Sequence, residues 1–533
     1  MKQMLGGDFS EIKEKLMNIA NYFRKYDRYS EIIERFNTIL QKVYYAEQLI
    51  LNYYILAEDM DTSDNNMLFK FVTVDFNKLK PFQKIMLKLF DILEKYQYMK
   101  KNDMLYEEIK IPYKTHAWKP VSTIAEFIHK HCSMSYDYEN WLLMTSAKDM
   151  DRQLETYFIK SVDTRLPTLQ HNRNMFSFKN GIYFTLRDEF VTYDTQEHQA
   201  ILANEVSSKY FDIPFRYVEE TNPSNIHTPF LDSIYLYQQL PQEVIEINKM
   251  FLGRMLYNVG DLDQWQVIPF LLGSGGTGKS TIHNIIRSFY EHEDVGVIGN
   301  NYQKTFGLAD IYDKTVFVAP EIKKDWGIDQ AEFQEIVSGG RVNINRKNKA
   351  SLTVQWTTPG MLAGNENPGF VDNASSIQRR IVLTRFDHKV LNNDPELGTK
   401  LDLEMDAIIK QCNLYYIAYA KQYKNNDIWT WLPQYYIDTQ NMMAKACNAL
   451  NAFIGSDQVK LSTYEFIPMD EFFKQFNYFC RNNNFRRPNI TVDMYKAPFA
   501  KSQITVEERV TKTYNGRIYT NTSFLVGVDM FKD

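Results

Sequence analysis

The spacing of apolar residues predicts helices at the start of the chain. Between residues 8 and 60, apolar side chains such as Ile12 and Leu16 recur at the period of one helix face. The same spacing predicts a second helix at about 81–98. Neither stretch carries side chains that suggest chemistry, so residues 1–104 are predicted to be an N-terminal helical region with a packing or assembly role.

The pattern then changes to short runs in which apolar and polar residues alternate. The run 176–184 surrounds Asn180 and Gly181, which is typical of two strands joined by a tight turn. Prolines from Pro214 to Pro241 interrupt the next stretch and indicate a boundary. We therefore predict a mixed α and β domain over residues 105–240.

Two regions are predicted after the middle of the chain. Residues 396–455 again have helical spacing and are predicted to pack on the domain before them. Residues 456–533 contain an amphipathic helix at 469–482 and two alternating runs around Asn515-Gly516, a strong hairpin signal. This order resembles a winged helix, for which DNA binding and plain packing both remain open. Its basic residues are Arg481, Arg486, Arg487, Lys496 and Lys501.

A glycine-rich segment carries the strongest chemical signal. The apolar run 267–272 leads into Gly273-Ser274-Gly275-Gly276-Thr277-Gly278-Lys279-Ser280, and Thr281 begins a helical pattern. Strand, loop and helix are the context in which such a loop binds phosphate, which argues against a chance match. Backbone N–H groups would surround the phosphates, Lys279 would reach the β- and γ-phosphates, and Ser280 would bind Mg²⁺. The sequence predicts a bound nucleoside triphosphate.

Two later strands are predicted to end in polar side chains. The apolar run 316–319 precedes Glu321, as a Walker B element requires, although an acid can end any buried strand. Pro320 stands where many P-loop enzymes have a second acid, so Glu321 is predicted to act without an adjacent partner. The run 360–364 precedes Asn365, which would hold the attacking water.

Basic residues accompany these strands. Arg346, Lys347 and Lys349 lie between two alternating runs, which predicts a β-hairpin with a cationic tip suited to DNA phosphates; a solvated basic turn is the alternative. Farther on, Arg379 and Arg380 precede another apolar run. One of them would act as an arginine finger on a neighbouring subunit's nucleotide, and Arg380 is slightly favoured because it adjoins the predicted strand.

Composition excludes several classes of protein. The net charge of -5 does not indicate a nucleic-acid binder, although a ring that holds DNA in its channel can be acidic outside. The four cysteines are far apart, so neither a zinc site nor a disulfide framework is expected. No stretch approaches the length of a membrane span or shows a secretion signal, so an intracellular protein without a membrane partner is expected.

The P-loop, Glu321, the basic hairpin, Asn365 and the arginine pair occur in this order within about 110 residues. This order resembles superfamily 3 helicases, in particular the helicase part of the primase–helicases of large nucleocytoplasmic DNA viruses and their phage and plasmid relatives. The run 176–211 also resembles the domain that precedes the motor in that family. The resemblance implies an α/β, AAA+-like P-loop ATPase core at 241–395, with a helical and mixed N-terminal collar and a C-terminal winged helix.

The same resemblance implies a hexameric ring that hydrolyses ATP with Mg²⁺ and translocates 3′→5′ on single-stranded DNA at replication forks. It would act in the host cytoplasm at the viral replication site, or in the cytoplasm of a phage-infected bacterium. The family usually carries a primase upstream, which about 100 helical residues would not hold. The chain is therefore expected to be either a fragment or a family member without that domain, with a primase domain or subunit as a partner. The implied roles are nucleotide binding for Lys279 and Ser280, Walker B acid for Glu321, sensor for Asn365, DNA contact for Lys347 and Lys349, and finger in trans for Arg379 or Arg380.

Two other functions fit a P-loop. A nucleotide kinase would need an arginine-rich lid and a small-molecule site, and the basic hairpin argues against it. An origin-binding or assembly protein would use ATP as a switch and hydrolyse it poorly. The ATPase rate with and without single-stranded DNA separates these functions from a helicase.

Overall fold

The computed structural model divides the chain into two compact units. One unit comprises Met1–Ile109 and Trp118–Gln170, and the other comprises Lys110–Ala117 and His171–Asp533. The described residues are 52–55, 70–73, 79–201, 205–299, 307–323, 326, 328–346, 350–366, 377–447, 449–482 and 490–531.

The N-terminal region is not wholly helical. Strands β1 (Asn52–Ile55) and β2 (Lys70–Thr73) form an antiparallel pair, where helix was predicted up to residue 60. Both strands are rich in aromatic and β-branched residues, which favour extended backbone, so the prediction of helix at 52–55 was wrong. Residues 8–51 and 56–60, the rest of that predicted helix, lie outside the described part.

The first unit is built on a helix that the sequence predicted. Helix α1 spans Pro81–Lys95, and its buried face includes Ile85, Leu89 and Phe90. Its other elements are β3 (Met99–Lys101), β4 (Met104–Ile111), β5 (Tyr113–Thr123), α2 (Ile124–His131), α3 (Tyr138–Thr145) and α4 (Met150–Lys160), with the strands in the order β3-β4-β5. The last residues of β4 and the first of β5 belong to the second unit.

The second unit contains a four-stranded sheet in the order β8 (Glu189–Thr192), β7 (Gly181–Phe184), β6 (His171–Phe178) and β9 (Val206–Phe211). The hairpin predicted around Asn180 and Gly181 is present, because the two strands pair up to Phe178 and Gly181 on either side of the turn. The elements are β6 (His171–Phe178), β7 (Gly181–Phe184), β8 (Glu189–Thr192), α5 (Gln196–Gln199) and β9 (Val206–Phe211).

A five-stranded parallel sheet forms the centre of the second unit, in the order β11 (Val295–Val297), β12 (Val316–Ile322), β15 (Gly360–Gly364), β10 (Ile268–Leu272) and β16 (Ile381–Arg385). This α/β core is compatible with a P-loop protein. Because β15 lies between β10 and β12, the carboxyl ends of these three strands meet at one edge. The elements are α6 (Pro229–Tyr237), α7 (Gln242–Arg254), β10 (Ile268–Leu272), α8 (Lys279–Ser288), β11 (Val295–Val297), β12 (Val316–Ile322), α9 (Gln330–Ser338), β13 (Arg341–Ile344), β14 (Leu352–Gln355), β15 (Gly360–Gly364) and β16 (Ile381–Arg385).

The helices that follow the sheet share its core. Helix α11 (Met405–Tyr423) packs on α7, and the hydroxyl of Thr439 in α12 (Gln434–Cys447) donates a hydrogen bond to the carbonyl of Leu383 in β16 at 3.0 Å. The buried pair of Arg254 and Asp263 also binds the hydroxyl of Tyr416 in α11. The elements are α10 (Leu397–Leu403), α11 (Met405–Tyr423), α12 (Gln434–Cys447) and α13 (Ala449–Ile454).

The C-terminal part combines two helices, α14 (Met469–Asn482) and α15 (Val492–Lys501), with an antiparallel sheet in the order β17 (Val459–Pro468), β19 (Arg517–Met530) and β18 (Thr505–Tyr514). Helix α14 has the predicted bounds, and Asn515 and Gly516 form the predicted turn with φ values of 50° and 76°. The winged-helix interpretation of these elements stays a prediction. The elements are β17 (Val459–Pro468), α14 (Met469–Asn482), α15 (Val492–Lys501), β18 (Thr505–Tyr514) and β19 (Arg517–Met530).

Among the described residues, the helices are too short or too polar to cross a membrane.

Candidate nucleotide-binding site

The glycine-rich loop joins the central strand β10 to helix α8. Gly276 and Gly278 have φ values of 77° and 97°, a backbone conformation that side chains with a Cβ rarely adopt. Gly278 is the residue before α8, so Lys279 and Ser280 occupy the first turn of that helix. Backbone N–H groups at a helix N-terminus attract anions, and the loop therefore has the geometry of a phosphate site.

The side chain of Lys279 lies against the backbone of the glycine-rich loop. Its ammonium group donates hydrogen bonds to the carbonyl oxygens of Gly273 and Ser274 at 2.6 and 2.7 Å. Burial lowers the pKa of Lys279, because the charged form loses contact with water. A phosphate placed in the loop would offer this ammonium group a negatively charged partner in place of the two carbonyls.

The loop opens onto a cleft of about 1030 Å³ that gathers residues from three separate segments. Glu321 comes from β12 and Asn365 from the residue after β15, and both line the cleft together with the loop. Gly273 does not line the cleft, but its N–H donates to the carbonyl of Gly364 at 3.1 Å and so fixes the loop to β15. The loop residues that line the cleft are Gly275, Gly276, Thr277, Gly278, Lys279, Ser280 and Thr281.

Two further segments line the cleft and were not predicted from the sequence. Helix α6 contributes Phe230, Ile234 and Tyr237, and the segment after β16 contributes Val390 and Leu397. These side chains form an apolar wall of the kind that receives a nucleobase. They belong to no local motif, so no pattern in the sequence predicts their place in the cleft.

Gln238, at the end of α6, ties these segments to the loop. Its amide group donates to the carbonyls of Thr277 and His388 at 3.0 and 2.7 Å, and its oxygen accepts from the N–H of His388. The hydroxyl of Tyr237 donates to the carbonyl of Lys389 at 3.0 Å. The apolar wall is therefore held in a fixed position against the P-loop.

Arg379 and Arg380 lie at the amino end of the central sheet, whereas the P-loop lies at its carboxyl end. Strand β16 runs parallel to β10 with Ile381 opposite Ile268 and Arg385 opposite Leu272, so residues before Ile381 are at the amino end of the sheet. With about 3.3 Å per strand residue, this end is about 15 Å or more from the P-loop. Neither arginine lines the cleft of its own chain.

The two arginines differ in exposure. The side chain of Arg379 is exposed, whereas that of Arg380 is only 7% exposed. The sequence slightly favoured Arg380 as the finger, because it adjoins the strand. Because an arginine finger must extend to another molecule, the burial of Arg380 favours Arg379 instead.

The predicted basic hairpin is present as the antiparallel pair β13 and β14. The guanidinium group of Arg346 donates to the carbonyl of Ala350 at 3.0 and 3.2 Å. Lys347 and Lys349, the other predicted DNA contacts, lie outside the described residues.

Comparisons with known proteins add little about function. A model of a family of unknown function, DUF5906, matches residues 271–380, the segment from the P-loop strand to Arg380. No curated protein matches. Similar solved structures include the A form apo structure of the NrS-1 C terminal region, with 12% identity, a TM-score of 0.37 and coverage of 85% of this chain and 100% of that one. The apo structure of the NrS-1 C terminal region (305-718) has 11% identity, a TM-score of 0.37 and coverage of 84% and 100%. TM-scores this low do not establish a common fold.

Proposed function

We propose that this chain is the motor of an ATP-dependent DNA helicase in viral or phage genome replication. The observation that carries the proposal is the convergence of Lys279, Ser280, Glu321 and Asn365, from three separate segments, on one cleft. Each side chain has the chemistry that its position in a nucleoside triphosphatase requires.

The cleft fits ATP with Mg²⁺. Loop N–H groups and Lys279 would bind the phosphates, and the apolar wall would receive the base. Oxygen atoms of Ser280 and Glu321 would hold Mg²⁺, which when bound neutralises phosphate charge. The described residues contain no cluster of three or more acidic, His or Cys side chains suited to bind a metal by themselves. This suits Mg²⁺, which usually takes one or two protein ligands together with phosphates and water.

The position of Arg379 supports assembly into a ring. An exposed arginine at the sheet end remote from its own P-loop can complete an active site only on a second copy of the chain. Head-to-tail contacts of this kind generate closed rings when the rotation closes, and the proposed ring is a hexamer.

DNA would pass through the channel of this ring. The hairpin β13–β14 would present Arg346, Lys347 and Lys349 to the phosphates, with 3′→5′ translocation on single-stranded DNA as in the family that the sequence resembles. The segment 105–240 would form the collar and 456–533 a winged helix. A primase domain or subunit would be a partner, and the helicase would act where the viral or phage genome replicates.

The ATPase rate with and without single-stranded DNA tests this proposal. We expect hydrolysis that DNA stimulates and that Lys279→Ala abolishes, because the phosphates lose the ammonium group of the loop. Lys421→Ala, which removes an exposed lysine on α11, is the control and should keep the native rate. Negligible hydrolysis with DNA would favour an ATP switch, and phosphate transfer to a nucleotide would favour a kinase.

A further inference from the structure

Glu366 lines the nucleotide cleft together with Glu321 and Asn365. We propose that Glu366 is the general base of ATP hydrolysis and that Glu321 serves as the ligand of Mg²⁺. This inference rests on the proposed function. It would explain how the site works although Pro320 replaces the acid that many P-loop enzymes have beside Glu321.

The sheet register places the two glutamates at the same edge of the central sheet. Ile322, the residue after Glu321, pairs with Gly364 at the end of β15. Glu366 is the second residue after Gly364, so both carboxylates belong to the carboxyl ends of neighbouring parallel strands. Gly364 also accepts the hydrogen bond from Gly273, which ties this edge to the P-loop.

The backbone at Gly364 allows Asn365 and Glu366 to line the same cleft. A Cβ at this position would lie 2.6 Å from the carbonyl oxygen of Ile322 and 3.1 Å from that of Glu366. The chain therefore bends closely past β12 immediately after β15. Successive side chains of a continued strand would point to opposite faces, whereas the bend turns both into the cleft.

The contacts of the acidic side chains in the cleft distinguish Glu366 from Asp394. Asp394 also lines the cleft, but it accepts hydrogen bonds from Lys400 at 2.7 Å and from the N–H of Glu396 at 2.9 Å. These contacts lower the pKa of Asp394, which makes it a poor base. Within the described part of the chain, neither Glu321 nor Glu366 has an ion-pair partner, and both are exposed to the cleft.

Two tasks in the reaction call for two carboxylates. A carboxylate that binds a divalent cation becomes a weaker base, because the cation stabilises its ionised form. The general base is therefore expected to be a carboxylate other than the ligand of the cation. Asn365, next to Glu366, can accept or donate a hydrogen bond and so hold the water between base and phosphate.

The proposed step is the attack of water on the γ-phosphorus of ATP. The water oxygen forms a bond to phosphorus while its proton passes to the Glu366 carboxylate. The bond between the γ-phosphorus and the β–γ bridging oxygen breaks, and ADP leaves with the electron pair. The proton is then released from Glu366, and the products are ADP and phosphate.

Replacement of each glutamate by glutamine separates the two roles. A general base typically contributes about 10²–10⁴-fold, so Glu366→Gln should lower kcat about 100-fold or more. Its Kd for a fluorescent ATP analogue and its Mg²⁺ requirement should stay within about threefold of native, because the phosphate contacts remain. Glu321→Gln should instead raise the Mg²⁺ concentration needed for nucleotide binding. Glu396→Gln is the control, since Glu396 carries a negative charge near the cleft, 3.8 Å from Lys400, without lining the cleft.

The outcomes distinguish this inference from the proposed function. If the native chain hydrolyses ATP and Lys279→Ala does not, but Glu366→Gln keeps kcat within about threefold, only the role of Glu366 is overturned. A loss in Glu366→Gln that is matched by Glu396→Gln, or that follows weaker ATP binding, also overturns it. If the native chain does not hydrolyse ATP with or without DNA, both proposals fail.

Discussion

His283 lies one turn after Lys279 on α8 and is 1% exposed. Burial, with a smaller effect from the positive charge of Arg287, lowers its pKa from 6.5 to about 3. The folded chain therefore keeps His283 neutral in a pH range where the unfolded chain protonates it.

This burial predicts an acid-sensitive contribution to stability. Between pH 6.5 and 3 the unfolded state binds the extra proton, so the free energy of unfolding falls as the pH falls. One such group contributes up to about 1.4 kcal/mol per pH unit. His283→Asn should flatten the fall in stability between pH 6 and 4, measured by denaturant unfolding, whereas His129→Asn, at an exposed site, should not. Equal slopes in native and His283→Asn protein would contradict this reasoning.

At the scale of single residues, the sequence identified the side chains that belong to local patterns. Lys279 and Ser280 follow from the P-loop motif, and Glu321 and Asn365 follow from their places after apolar runs. Tyr237, Gln238 and Glu366 could not be found in this way. They reach the cleft through the tertiary arrangement of α6 and the bend after Gly364, which leave no periodic or motif signal.

At the scale of elements, the turn that carries Arg379 is held by the loop between α11 and α12. The indole N–H of Trp429 donates to the carbonyl of Arg379 at 2.8 Å. Trp429 is therefore a positioning residue for the proposed finger. Two residues later, the indole N–H of Trp431 has no partner within the described residues, while its ring stacks on Tyr423 at 4.6 Å.

Trp429→Phe keeps a ring but removes this hydrogen bond. A hydrogen bond contributes about 1 kcal/mol, so a misplaced finger should lower kcat about fivefold, with the KM for ATP unchanged. Trp431→Phe is the matched control and should keep the native kcat, because its N–H donates to no described group. Equal effects of the two substitutions, or a change in KM alone, would argue against a positioning role for Trp429.

The hairpin β13–β14 makes a separate prediction about DNA. Lys347→Ala with Lys349→Ala should weaken binding to all single-stranded sequences alike, because phosphate contacts carry no sequence information. The salt dependence of binding should become shallower by about 0.7 for each lost contact. Arg341→Ala, on strand β13, is the control and should change the slope less. A loss that depends on base sequence would show that the tip reads bases.

Elements with strong local signals were predictable, and those paired at a distance were not. Helix α14 and the turn at Asn515-Gly516 have their predicted places, since amphipathic spacing and turn residues are local. Strands β1 and β2 are only four residues long and are separated along the chain. Strand β1 also lies within the stretch whose apolar residues have helical spacing. The strand order of the central sheet also depends on packing between segments that are distant in the chain. A local sequence pattern does not reveal such packing.

At the scale of the whole molecule, Arg379 and Lys279 lie at opposite ends of the central sheet. If Arg379 acts on a neighbour, no single copy contains a complete active site. An arginine finger is worth about 10³–10⁵ in turnover, so Arg379→Ala should nearly abolish hydrolysis while ATP affinity stays close to native. Arg380→Ala removes a buried side chain and should affect stability of the fold more than turnover.

Co-expression of two inactive chains tests this arrangement directly. In rings that mix Arg379→Ala and Lys279→Ala subunits equally, about one interface in four joins an intact P-loop to an intact arginine of its neighbour. ATPase should therefore return to at most about a quarter of the native rate. Rings that mix Lys279→Ala with a chain carrying both substitutions contain no such interface and should stay inactive. Full activity of Arg379→Ala alone, or no recovery in rings shown by affinity tags to hold both subunits, would exclude a finger in trans at this position.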